Sequence, residues 1–338
     1  MKGRERIIRT IDGGAADCLP FMPITMTFAA DLFGVKYREY ATDWRVQARG
    51  QMAVAEAFGA DHVSAISDPA VEAADLGTGV IFYDDEPPAN DETRSLLGDK
   101  SALAGLSPLR PEDGRRMSNR LAAVSELATL ATGELMVEGW VEGPCAEAAD
   151  LRGLSRLMMD LFDDPDFVAG LLDFVTEQEV IFALAQIRAG ADIIGVGDAA
   201  SSLIGPELFE GFMAPRHRRY VEAIHGAGAL ARLHICGNTA GLMPAIAGLG
   251  YDIVDLDTLS PIAGARACLG PDAVILGNID TVSVVRSGSE AEVLRALEAC
   301  FADAGGRAYI VGAGCEIPRD SPKKNILAMR DFARSRHP

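Results

Sequence analysis

Positive charge is in short supply in this chain. Lys and Arg total 31 against 49 Asp and Glu, a net charge of −18 over 338 residues. A surface this acidic repels a phosphate backbone, which excludes a general nucleic-acid binder and leaves small substrates or a basic patch on a partner as the expected ligands. Long uncharged apolar runs are missing as well. No opening segment joins a basic stretch to an apolar one, and no segment reaches membrane-spanning length without a charge. The expected location is cytoplasmic, with no membrane contact. Aromatic residues make up only 6%. The six cysteines are irregularly spaced and give no disulfide framework; Cys18, Cys145, Cys268 and Cys300 read as core or incidental thiols. There is no internal repeat, low-complexity tract or domain linker. No G-x-G-x-x-G turn follows the first strand candidate, which counts against an open dinucleotide-binding sheet.

What is present is an alternation of short apolar runs with amphipathic stretches, in a chain that is 49% hydrophobic. The runs at 21–27, 62–67, 135–141, 192–196, 229–235, 252–256, 273–276 and 308–311 are strand candidates. Residues 44–58, 154–161, 166–189, 206–226, 240–247 and 289–304 carry helical periodicity. The string Asp163-Asp164-Pro165-Asp166 has the acids and the proline of a helix start. Eight strands separated by helices predict an α/β fold, a parallel sheet closed as a (β/α)₈ barrel (TIM barrel). We read residues 1–338 as a single domain with N-terminal additions, a small inserted hairpin near 79–83 and an irregular polar loop from Asp85 to Gly114.

In such a barrel, chemistry sits at the C-terminal ends of the strands. One end reads His234-Ile235-Cys236-Gly237; another, far off in sequence, reads Gly314-Cys315-Glu316. Residues i and i+2 of a strand share a face, so His234 and Cys236 can reach one ion. With Cys315 they form a zinc ligand set, and Asp257 is a candidate fourth ligand or a plain turn cap. Two thiolates and an imidazole leave zinc soft and weakly Lewis-acidic, suited to holding a third sulfur as a thiolate. The bland alternative is a buried histidine beside buried thiols. Asp68, Glu142, Asp198 and Asn278 stand at other strand ends and are candidate substrate-binding residues; the alternatives are a helix cap for Asp68 and for Asp198 and a loop carboxylate for Glu142. His217 and His225 lie on an Arg-rich helix and are expected at the solvated surface; His62 is expected to be structural.

These residues resemble the uroporphyrinogen decarboxylase superfamily, and within it the zinc-dependent corrinoid methyltransferase branch, similar to methylcobalamin:coenzyme M methyltransferases. The resemblance runs from Gly59-Ala60-Asp61 and Ser67-Asp68-Pro69 through Gly143-Pro144, Gly197-Asp198 and His234-Ile235-Cys236-Gly237-Asn238. It continues through Leu276-Gly277-Asn278-Ile279-Asp280 to Gly314-Cys315-Glu316-Ile317-Pro318. It implies a TIM barrel, zinc on His234, Cys236 and Cys315, and methyl transfer from methylcobalamin on a corrinoid protein to a thiol or folate acceptor. Uroporphyrinogen decarboxylases carry paired arginines near the N-terminus, whereas the matching stretch here, Pro20 to Ala30, contains none. Where those enzymes have a glycine-flanked His, this chain has Cys315. Uroporphyrinogen decarboxylation is therefore the alternative activity, and a non-catalytic corrinoid- or metal-binding protein is the second alternative.

Overall fold

A computed structural model describes residues 1–337. It contains nine strands: β1 His62–Ser64, β2 Val80–Ile81, β3 Ala89–Asn90, β4 Met136–Glu142, β5 Ile193–Gly197, β6 Leu230–Ile235, β7 Ile253–Leu256, β8 Val274–Leu276 and β9 Tyr309–Ile310. Seven pair in parallel in the order β1-β4-β5-β6-β7-β8-β9, and helices fill the crossovers. β2 and β3 form a separate antiparallel pair. Among the described residues no helix is long and apolar enough to cross a membrane.

The expected first strand, 21–27, needs correction. Only Phe21 forms a bridge, to Val311, and Thr27 already opens the helix Thr27–Phe33. The reason lies in Pro20 and Pro23, which have no N–H to continue a ladder. The short extended piece nevertheless joins the two edges of the curled sheet. Met22 N donates to Val311 O (3.0 Å) on one side, and Asp61 N donates to Phe21 O (2.9 Å) on the other.

Inward-facing residues alternate along the strands and stack in layers, as in a filled barrel. At the N-terminal end Met22, Met136, Ile193, Ile253, Val274 and Ile310 pack together, and Ile7 of the helix Gly3–Ile11 closes that end. Higher up, the Trp140 indole occupies the space over β5. A Cβ on Gly195 or Gly197 would stand 2.3 and 2.8 Å from that ring, so glycine is required at both positions. The expected helix start is observed: Asp164 caps Pro165–Ala189 by accepting from Phe167 N.

Outside β4 the helices bury a group of carboxyls. Glu72, Glu147 and Glu179 are fully buried, and both oxygens of Glu147 and of Glu179 lack hydrogen-bond partners. Burial first, and then the neighbouring acids Glu179 and Asp150, hold the Glu147 carboxyl well above its usual range. A carboxyl raised in this way adds stability below its unfolded pKa, near 4.5, and that stability is lost as pH rises through the folded value. Glu147→Gln is therefore expected to gain on the wild type as pH rises from 5 to 9, by roughly 1–3 kcal/mol at the alkaline end. Thermal unfolding across that range checks this; a pH-independent difference would show that the carboxyl is not held protonated.

Candidate metal centre

His234 sits on β6, where Leu230, Arg232 and His234 alternate toward the barrel interior, and Cys236 follows directly after the strand. Cys315 arrives from the far end of the sheet through the bridge between Ile279 and Ala313 and the bond from Gly314 N to Ile279 O (2.9 Å). Its approach depends on Gly314, where a Cβ would fall 2.4 Å from Thr258 N. The result is a tight trio. His234 Nε2 lies 3.2 Å from Cys236 Sγ, and Cys236 Sγ lies 3.7 Å from Cys315 Sγ. The three ligand atoms lie within 4.8 Å of one another, with His234 buried and the thiols half-buried.

This spacing suits a soft metal. Two sulfurs each about 2.3 Å from a tetrahedral ion stand roughly 3.8 Å apart, close to the observed 3.7 Å. The surroundings agree. His234 Nδ1 is 2.9 Å from Asp255 Oδ2, bent from ideal hydrogen-bond alignment, which leaves Nε2 directed at the sulfurs. A histidine ligand held from behind by a carboxylate is the usual arrangement at metal sites. Asp255 is held in turn by Arg232 Nη2 (2.5 Å), and Arg232 Nη1 donates to Glu138 Oε1 (2.8 Å); all three side chains are buried.

The electrostatics favour an imidazolium–thiolate pair when no ion is bound. Burial alone lowers the His234 pKa, but the Asp255 carboxylate and Cys315 outweigh it and raise it to about 10. Cys315, accepting from the Cys236 thiol and favoured further by His234 against the cost of burial, falls to about 4. Cys236 is pushed upward, first by donating to Cys315 and then by burial. At pH 7 the trio therefore carries a proton on His234 Nε2 and one on Cys236, both of which a metal must displace. Zinc titrated into metal-free protein is expected to release about two protons per ion, so affinity should rise steeply with pH between about 4 and 10. Calorimetry in buffers of different ionisation enthalpy counts them; release near zero would contradict this protonation pattern.

The other expected site residues divide. Asp257 lies outside the cluster of three, and its Oδ1 accepts from Leu259 N (2.8 Å), as in the turn-cap alternative. Asn278 holds the loop after β7, its Nδ2 donating to Asp257 O (2.9 Å) and Ser260 O (2.7 Å). Asp68 is buried and gripped by Arg116 through two 2.7 Å bonds. Glu142 accepts from Trp140 Nε1 (3.2 Å), and burial, with Glu72 nearby, raises its pKa well above the carboxylate range.

Asp198 is fully buried, and its carboxylate is turned to the helices packed outside β5. Its oxygens accept from Ala146 N (2.7 Å), Ser201 Oγ and His217 Nε2 (3.0 Å). His217 was expected at the surface and is instead sealed, with Nδ1 2.8 Å from Tyr251 Oη. The arginines beside it hid an inward face of the same helix. Because Asp198 N donates to His234 O (2.9 Å), this network steadies the backbone of a candidate ligand residue. Asp255, Arg232 and Glu138 had no assigned role from sequence. The signal was there: Arg232 and Asp255 each precede a strand-end residue by two, the period that keeps them inside a barrel.

Comparison with known proteins places this geometry in context. Over 98% of its length the chain is 28% identical to a methylcobamide:CoM methyltransferase, MtbA, of Methanosarcina mazei, 97% of which is covered. It is 26% identical to a uroporphyrinogen decarboxylase of Anaeromyxobacter dehalogenans over 88% of this chain and 87% of that one. A solved methyltransferase from Methanosarcina mazei superposes with a TM-score of 0.85 at 20% identity, covering 99% of this chain and 98% of that one, which establishes the shared fold. Residues 2–336 match the family described as Uroporphyrinogen decarboxylase (URO-D), and the chain belongs to that family.

Proposed function

We propose that this protein is a methyltransferase that passes a methyl group from a methylated corrinoid, carried by a partner protein, to a thiol or folate acceptor. The observation that carries this reading is the His234–Cys236–Cys315 trio with Asp255 behind it, a donor set suited to zinc. Zinc bound there would supply the positive charge that keeps an acceptor sulfur deprotonated near neutral pH. The similarity to a methylcobamide:CoM methyltransferase across nearly the whole chain supports the donor.

The chain's own residues account for the rest. Asp255 and Arg232 fix the imidazole so that one nitrogen faces the mouth. Glu142, whose carboxyl is pushed well above the usual range by burial, stands at the end of β4. Asp68, neutralised by Arg116, and Asn278 shape the wall. Leu203, Leu259 and Val282 follow β5, β7 and β8 and are more than half exposed, giving an apolar rim on which a corrinoid protein would dock. In the transfer, the acceptor's electron pair forms the new bond to the methyl carbon, and the cobalt–carbon pair stays on cobalt. Holding both reactants in line is the main contribution of the fold.

Decarboxylation of uroporphyrinogen fits less well. Its eight carboxylates would meet a chain of net charge −18 with no arginine between Pro20 and Ala30. We expect methyl transfer from methylcobalamin, followed by cobalamin absorbance with a panel of thiols and tetrahydrofolate, in the wild type. Cys236→Ser and Cys315→Ser are expected to lose it by about 100-fold or more together with their metal. Conversion of uroporphyrinogen to coproporphyrinogen at an enzyme-like rate, without methyl transfer, would overturn the reading.

A further inference from the structure

Helices Tyr37–Thr42, Trp44–Phe58, Val71–Leu76 and Arg115–Ala131 surround an open cavity of about 690 Å³, within the size range of small-molecule sites. Its chemistry runs against that of the rest of the chain. In a protein of net charge −18 it gathers the side chains of Arg38, Arg115 and Arg116 around Trp44, Phe82 and Asn119. The one carboxylate on the wall, Asp75, is already occupied: it accepts from the backbone N–H groups of Arg116 (2.8 Å) and Met117 (2.7 Å). Arg116 is paired with Asp68, and Arg38 lies 3.6 Å from Asp84, which is 88% exposed and so screened by water. Arg115 makes no ion pair among the described residues.

The polar and aromatic groups are arranged to complement one another. The guanidinium carbons of Arg38 and Arg116 lie 6.0 and 5.3 Å from the centre of the Phe82 ring. Asn119 accepts from Trp44 N through Oδ1 (2.9 Å), which leaves its NH₂ group to donate. Guanidinium and amide donors beside aromatic rings are the complement of a flat anion.

We propose that this cavity binds a small organic anion that carries an aromatic ring next to its carboxylate, sulfonate or phosphate group. The site is separate from the metal centre. Arg116 connects it to the mouth, because the same guanidinium holds Asp68 beyond the end of β1.

Phenyl phosphate titrated into the full-length protein tests this by calorimetry and by tryptophan fluorescence. The chain has two tryptophans, and only Trp44 lines the cavity; Trp140 is buried in the barrel. Saturable binding is expected, with a fluorescence change that is lost in Trp44→Phe while the calorimetric signal remains. Arg115→Gln combined with Arg38→Gln should weaken binding about tenfold or more, since at least one charge-assisted contact is lost. Cys236→Ser should bind as the wild type does. Undiminished binding in the double arginine variant, loss of binding in Cys236→Ser, or inorganic phosphate binding as tightly as phenyl phosphate would each overturn the proposal.

Discussion

The Asp255 carboxylate, set between His234 and Arg232, is the interaction on which the rest of this structure depends. Arg232 is fully buried in the barrel, and a guanidinium there is tolerated only when it is paired and hydrogen-bonded. Glu138 and Asp255 provide the pairing, 2.8 and 2.5 Å away. Asp255 then has its second partner in His234, so one buried charge arrangement both fills the barrel and orients the imidazole. Replacing this row with apolar side chains would pack the barrel equally well and leave the ring free to turn. The polar row is better explained as the support of a ligand than as a source of stability.

The same economy holds outward from the centre. Gly195 and Gly197 make room for Trp140, whose indole N–H reaches Glu142. Asp198, His217 and Tyr251 form a sealed network whose backbone link ends on His234 O. Glu316, next to Cys315, accepts from Thr27 N (2.6 Å) and so ties the helix after the Phe21 segment to a ligand loop. The trio is thus steadied through the backbone of His234 and through the neighbour of Cys315, by groups that contribute no ligand atom. Support of this kind gives a site its geometric precision.

Much of this was legible before the fold was known. Strand-end reasoning and period-2 alternation brought His234, Cys236 and Cys315 together from 79 residues apart. The α/β alternation and the helix start at Asp164 were equally readable, since both rest on local chemistry. Three things were not. Prolines at 20 and 23 shortened the first strand, because a hydrophobic pattern does not register missing N–H donors. Asp198, read as a substrate-binding candidate, meets His217, and Asp257, read as a fourth ligand or a turn cap, caps a turn; both are long-range or conformational facts. His217 was obscured by its arginine neighbours on the opposite face of the helix. In the URO-D family, relatives of this chain include both a corrinoid methyltransferase and a decarboxylase. Family membership therefore fixes the barrel, and the residues at the mouth carry the choice of reaction.

Zinc K-edge X-ray absorption on the purified protein tests the central claim most directly. The account predicts about one zinc per chain, with two sulfur scatterers near 2.3 Å, a histidine nitrogen near 2.0–2.1 Å, and one sulfur lost in Cys315→Ser. A shell of nitrogen and oxygen alone, or a sulfur count unchanged in that variant, would contradict it.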